Sequence, residues 1–258
     1  VSEIVGRRTI DLNVDIGEGF PHDVELLKFA SSANVCCGAH AGSRELALET
    51  IELCRRHRVR IGAHPGYPDR ENMGRFSLPA GRELEFLKSL FDQMNWFVEV
   101  GEPAYLKPHG AFYNDTAILL PANWETAKKR HSGVSDYESG GLFLAQYPGI
   151  QSLLMLVRVH RLALMGLEPT AHRTLAARAR QRFIREGFAD RRYEANGTLR
   201  PRSQPDAVLT DPEEVRDQVL HMAVRVDSIC LHGDTPDCLA FAELVYKSLT
   251  DAGYGVGV

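Results

Sequence analysis

Short apolar runs punctuate this chain, and polar residues able to do chemistry stand just beyond nearly every one of them. Ile10-Asp11-Leu12-Asn13-Val14-Asp15 leads to Gly17-Glu18, and Asn34-Val35-Cys36-Cys37-Gly38 leads to His40. Val59-Arg60-Ile61-Gly62-Ala63 is followed by His64, and Tyr105-Leu106 by Lys107 and His109. Phe183-Ile184-Arg185-Glu186-Gly187-Phe188 is followed by Asp190-Arg191, and Ser228-Ile229-Cys230-Leu231 by His232 and Asp234. Runs of this length, bounded by polar and turn residues, fit buried strands. They predict strands near residues 8–14, 33–37, 59–63, 104–107, 161–165, 183–187 and 228–231.

Between the runs the apolar period lengthens to that of a helix. Leu46, Ile51 and Leu53-Cys54 mark a helix within 42–57, with Ser43 as its N-cap. Leu84, Leu87, Leu90-Phe91, Met94 and Phe97-Val98 mark another over 83–98. An Ala- and Arg-rich stretch predicts helix over 170–181. Asp211-Pro212-Glu213-Glu214 reads as a cap, a first-turn proline and acidic residues at the positive helix end, opening a helix to about Val224. A last helix opens at Thr235 or Pro236 and runs through Leu249.

Strand–helix alternation over roughly seven units implies a parallel sheet with right-handed crossovers. Chemistry follows nearly every strand instead of gathering at one switch point, and no Gly-x-Gly-x-x-Gly follows a strand. Both features favour a (β/α) barrel, with one unit missing, over an open doubly wound sheet. The 258 residues fit one barrel domain spanning 1–258. Residues 118–151 read as an atypical excursion, carrying Pro121, Pro148, a Lys128-Lys129-Arg130-His131 run and Gly140-Gly141. The glycine-alternating C-terminus from Gly253 reads as a frayed end or a short strand.

Composition narrows the function classes. At 44% hydrophobic and 25% charged residues the chain matches a globular protein, and a net charge of -4 gives no support for nucleic-acid binding. No apolar stretch is long enough for a bilayer, and the first eight residues lack the apolar core of a signal peptide. Five cysteines, Cys36 and Cys37 adjacent and Cys54, Cys230 and Cys238 scattered, form no C-x-x-C pair and read as buried free thiols, so the expected compartment is the cytoplasm. Asn114-Asp115-Thr116 and Asn196-Gly197-Thr198 then match the glycosylation pattern by chance. Neither a G-x-x-x-x-G-K-[ST] loop nor a G-x-S-x-G elbow is present.

Strand alternation places Asp11, Asn13 and Asp15 on one face of the first strand. Three polar side chains on one face of an apolar strand are costly in a dry core, so that face is expected to line a wet pocket. His40, His64, His109 and His232 follow four different strands and are expected to share a site. Lys107 shares parity with His109, and His232 with Asp234. An ammonium there can orient an anion or polarise a carbonyl, and a histidine beside a carboxylate can shuttle a proton. Asp190 flanked by Arg191 offers a guanidinium clamp for a substrate carboxylate, or a surface ion pair. A divalent metal is a further option, with Asp15, His40 and His64 as candidate ligands from separate strands.

Six blocks together resemble the LamB/YcsF family: Asp11 to Glu18, Asn34 to Gly42, Gly62 to Asp69, Lys107 to Asn114, Glu186 to Tyr193 and Leu231 to Pro236. The resemblance implies an incomplete TIM-like (β/α) barrel of the glycoside hydrolase/deacetylase type. It implies the A component of a 5-oxoprolinase that opens the lactam of 5-oxo-L-proline to L-glutamate with ATP hydrolysis. The implied partners are subunits B and C, which share or supply the ATP site. Two departures stand out: the longer stretch near 118–151, and Val35-Cys36-Cys37-Gly38-Ala39-His40 where members often read Ile-Ala-Cys-Gly-Phe-His.

Within that expectation Asp11, Asp15 or Glu18 is the base or a metal ligand. His64 and His109 are acid and electrostatic partners, and Lys107 lies near the carbonyl or phosphoryl oxygen. Asn13, His40, Asp190, Arg191, His232 and Asp234 contact the substrate. The alternatives are a stand-alone metal-dependent, deacetylase-like amidohydrolase and a non-catalytic substrate-binding or scaffold subunit.

Overall fold

The computed structural model describes residues 8–77, 79, 81–120, 147–235 and 237–258. All seven predicted strands are present: β1 (Thr9–Ile16), β2 (Ser32–Cys36), β3 (Arg60–His64), β4 (Tyr105–Leu106), β5 (Ala163–Leu167), β6 (Phe183–Phe188) and β7 (Ser228–His232). Each pairs parallel with its neighbour, and β7 and β2 both pair with β1, so the sheet closes into a seven-stranded barrel. The C-terminal glycine stretch forms a short strand, β8 (Gly255–Val256), alongside the start of β1.

The helices lie between strands, as right-handed crossovers require. They are α1 (Asp23–Leu26), α2 (Arg44–His57), α3 (Glu83–Gly101), α4 (Gly110–Thr116), α5 (Pro148–His160), α6 (Ala171–Ala179), α7 (Pro212–Met222) and α8 (Cys238–Asp251). Ser43 caps α2, its hydroxyl accepting the Leu46 N–H at 3.1 Å. Asp211 caps α7 by accepting the Glu213 N–H at 2.9 Å. Among the described residues α8 begins at Cys238, after the expected Thr235 start; Pro236 lies outside them.

Three helices were not legible. α5 buries Ile150, Leu153, Leu156 and Val157, a proper helical stripe. Leu154, Met155 and Val159 around it are also apolar, with Met155 and Val159 exposed, and they blur the period. The excursion expected over 118–151 is corrected at its end, because 148–151 are the first residues of α5. Its Lys128–His131 run and Gly140-Gly141 pair lie outside the described residues. α1 and α4 were hidden by their brevity.

Alternation along each strand separates two environments. On β1, Ile10, Leu12, Val14 and Ile16 face outward into the main apolar core, against Leu26 and Ile51 of the surrounding helices. Asp11, Asn13 and Asp15 face into the barrel. Inside, Tyr105, Met165 and Ile184 form one apolar cluster, and Tyr113, Leu167, Phe188 and Cys230 another. The interior is therefore apolar on the β5–β6 side apart from the buried Glu186 carboxylate, and polar around β1, β2 and β4.

Candidate active site at the strand tips

The inward polar column of β1 has three levels, and they do different things. Asp11, at the bottom, accepts from Ser31 at 2.6 Å, Ser32 at 2.7 Å, Ser228 at 2.6 Å and Arg60 at 2.8 Å. Every acceptor position is filled by the barrel itself, so Asp11 is a structural anchor and lies apart from the cavity. This corrects its expected catalytic role. Alternation gives a side chain's face but not its height, and four residues of strand separate Asp11 from Asp15 by about 13 Å. Asn13, one level up, donates to Ser228 at 2.7 Å and accepts from Asn34 at 2.7 Å. It too lies outside the cavity lining and supports the floor from below.

Asp15 occupies the top level, in register with Asn34 of β2 and His232 of β7. Its Oδ1 accepts from Asn34 at 2.7 Å and from Lys107 Nζ at 2.9 Å, and Oδ2 lies 3.5 Å from His64 Nε2. Burial works to raise its carboxyl, but the Lys107 ammonium beside it outweighs burial and holds it well below the usual carboxylate range. Asp15 is thus an ionised acceptor at the bottom of a cavity of about 670 Å³, which Glu18, His64, Lys107, His109 and His232 also line.

Lys107 is almost fully buried, and its ammonium donates to three acceptors: Asp15 Oδ1, Cys230 Sγ at 3.0 Å and Asn13 Oδ1 at 3.3 Å. Glu186 Oε1, 2.7 Å away, is an ion-pair partner outside hydrogen-bonding geometry. An ammonium has three N–H groups, so none is left over for a substrate oxygen. Burial works to lower its pKa, and Asp15, Cys230 and Glu186 outweigh burial and raise it. Burial raises the Glu186 carboxyl, with Lys107 opposing.

Glu18, His40, His64 and His109 form a second group, each offering a ligand atom within 4.8 Å of the others. His64 Nδ1 lies 2.9 Å from the Lys107 carbonyl, and His109 Nε2 lies 2.8 Å from the Met73 carbonyl. A carbonyl only accepts, so both nitrogens carry their protons outward. The remaining lone pairs, on His64 Nε2 and His109 Nδ1, point at each other across 3.0 Å. Glu18 Oε1 lies 3.2 Å from His109 Nδ1 and 3.1 Å from His40 Nε2. The His40 ring stacks on His109 at 3.7 Å and is fully buried behind it. Burial, then the neighbouring imidazoles, lowers both the His40 and His109 pKa values. The donor set of one carboxylate and three imidazoles fits a divalent cation of the zinc class. Two of the metal-ligand candidates, His40 and His64, belong to this group, whereas Asp15 falls with Cys230 and His232 in another.

On the opposite wall His232 Nδ1 lies 2.8 Å from the buried Asp190 carboxylate. The ring stacks at 5.6 Å on Phe188. Asp190 itself is behind the wall, so it orients His232 and does not line the cavity. Arg191 does line it, but its Nε donates to the Ala207 carbonyl at 3.3 Å and its Nη2 to the Arg200 carbonyl at 2.7 Å. Its guanidinium pins the loop after β6 in place of the clamp role expected for it. Asp234 is at the rim, bound by Arg75 and Arg202.

Sequence reasoning missed Glu186, Cys230, Arg75 and Arg202. The first two had a signal: Glu186 shares parity with inward Ile184 and Phe188, and Cys230 with Ser228 and His232. The two arginines lie in loops without periodicity. The five cysteines are buried free thiols; burial raises Cys36, whose Sγ lies 3.3 Å from His40 Nε2, to about 12, which makes it an inert thiol.

A closed parallel barrel with carboxylates, imidazoles and a buried ammonium converging at its strand tips defines a barrel hydrolase type of site. The chain belongs to the LamB/YcsF family, whose profile matches residues 10–138 and 150–257. It is 35% identical over 261 residues to the 5-oxoprolinase A subunit of Haemophilus influenzae (strain PittEE), covering 94% of this chain and 96% of that protein. It is 36% identical over 268 residues to the 5-oxoprolinase A subunit of Neisseria meningitidis serogroup C (strain 053442), covering 96% and 99%. The crystal structure of the Lactam Utilization Protein from Thermus thermophilus superposes with a TM-score of 0.72 at 29% identity, covering 96% of this chain and 99% of that one. No helix among the described residues is long and apolar enough to cross a membrane.

Proposed function

We propose that this chain is the lactam-opening A subunit of an ATP-dependent 5-oxoprolinase, one barrel domain working with subunits B and C to convert 5-oxo-L-proline to L-glutamate. The observation that carries the reading is the cavity at the strand tips, where Asp15 and His232 stand at the same level on the neighbouring strands β1 and β7. Near-full-length similarity to 5-oxoprolinase A subunits supports it.

A lactam is a stable amide, and opening it needs an activated water, a stabilised oxyanion and a proton for the departing nitrogen. Asp15, held ionised by Lys107, accepts the proton of the attacking water. His232, oriented by Asp190, delivers a proton to the ring nitrogen as the C–N bond breaks. Lys107 fixes Asp15 and does not touch the substrate. Glu18, His40, His64 and His109 would hold a divalent metal, which supplies Lewis-acid polarisation of the lactam oxygen when bound. ATP is supplied through the partner subunits, in keeping with a chain that carries no Walker-type loop.

The test is ATP-dependent glutamate formation by the complex reconstituted from all three subunits. Asp15→Asn should lower kcat by about 10²–10⁴ with the fold intact. A wild-type complex that forms no glutamate from 5-oxoproline and ATP rejects the proposal.

A further inference from the structure

Three loops meet on one carboxylate at the cavity mouth. Arg75 comes from the loop between β3 and α3, Arg202 from the loop between β6 and α7, and Asp234 from the loop between β7 and α8. Arg75 Nη2 and Arg202 Nη1 both donate to the same oxygen, Asp234 Oδ2, the second at 3.0 Å. The other oxygen, Oδ1, is buried and has no hydrogen-bond partner among the described residues. Both arginines line the cavity and keep 37% and 28% of their side chains exposed, so their remaining N–H groups are open to a ligand.

Charge is therefore graded along the cavity. The floor carries Asp15, Glu18 and Lys107, whose ammonium is committed to Asp15, Asn13 and Cys230, and the rim carries guanidinium groups. An anionic ligand entering this space finds no uncommitted cationic side chain on the floor among the described residues and is drawn to the rim. Arg191, the third guanidinium in the lining, has Nε and Nη2 committed to backbone carbonyls. The rim pair thus offers what Arg191 does not: two forks from different loops, already arranged about a carboxylate.

We propose that Arg75 and Arg202 form the subsite that recognises the substrate carboxylate, with Asp234 as the internal carboxylate that keeps the two forks assembled. This inference rests on the lactam reading above and deepens it. With its carboxylate at the rim, a 5-oxoproline ring points its amide at Asp15 and His232. A lactam without that carboxylate loses the anchor and binds without a fixed orientation.

The experiment compares steady-state turnover of 5-oxo-L-proline and of its neutral carboxamide by the reconstituted complex. Wild type should prefer the acid. Arg202→Gln and Arg75→Gln should each raise KM for the acid about tenfold or more, change kcat little, and leave the carboxamide unaffected, so that the preference collapses. Arg202→Lys should recover part of it, since a point charge remains but the fork is lost. Circular dichroism on each variant establishes that the barrel is folded. An acid-to-carboxamide ratio unchanged in both glutamine variants overturns the inference while leaving the lactam reading intact. A wild-type complex inert towards both compounds fails the lactam reading before any variant is made, and this inference falls with it.

Discussion

His64 Nε2 and His109 Nδ1 stand 3.0 Å apart, and each ring has its other N–H committed to a backbone carbonyl. Two lone pairs at that separation repel unless a cation or a proton lies between them. Burial pushes the His109 pKa down and so works against the proton. Glu18 adds a carboxylate to the same spot. The chain purified without chelator is accordingly expected to carry about one zinc-class ion per molecule, measured by elemental analysis. His109→Ala should lose the ion, and chelation should lower the wild-type Tm but not that of the variant. Metal-free wild type that takes up no added zinc in a calorimetric titration would reject the site.

Lys107 balances two buried carboxylates, Asp15 at 2.9 Å and Glu186 at 2.7 Å. Removing a buried ion-pair partner leaves charge uncompensated and costs about 3–5 kcal/mol. Lys107→Met should destabilise the protein by about that amount in urea unfolding, and adding Glu186→Gln should recover part of the loss. A Lys107→Met variant as stable as wild type would show that Asp15 and Glu186 do not depend on the ammonium.

The Asp190 carboxylate holds His232 by Nδ1 at 2.8 Å, which leaves Nε2 for the cavity. Asp190→Asn alters which ring nitrogen carries the proton while preserving shape. The expected result is a fall in kcat of about 10²–10⁴, with KM little changed and with His232→Gln equally impaired. The double variant should be no worse than either single one, because the pair acts as a unit. Additive losses would mean that the two residues act separately.

Asp23 accepts the Gly17 N–H at 2.8 Å, and burial, assisted by Glu18, raises its carboxyl from 3.8 to about 6. Between those values the folded protein binds more protons than the unfolded chain, so this group makes stability fall as pH rises. The cost is absent below the unfolded pKa and complete above about 6. Asp23→Asn should therefore exceed wild type in stability by about 1–3 kcal/mol near pH 7.5, and the gap should close towards pH 4. Urea midpoints at the two pH values check this, and a gap independent of pH would contradict it.

Much of the barrel was legible because its signals are local. The period of two in Ile10 to Asp15 places three polar groups on one face whatever the rest of the chain does. Ser43 and Asp211 cap their helices through bonds to residues three and two positions away. Where the local signal was blurred, as in α5 with its surplus of apolar residues, the helix went unseen.

Strand periodicity and motif order by themselves determined that this is a seven-unit (β/α) barrel of the LamB/YcsF family, with chemistry at the strand ends. Tertiary structure alone decided who meets whom. Asp11 and Asp15 are alike in parity, yet one is anchored by three serines and Arg60 and the other by Lys107. Arg191 looks like a clamp and instead holds a loop, while Arg75 and Arg202, 127 positions apart in the numbering, converge on Asp234. Height within a barrel and contact between loops depend on strand register and on closure through β1, and those are set by pairings between residues far apart in the chain.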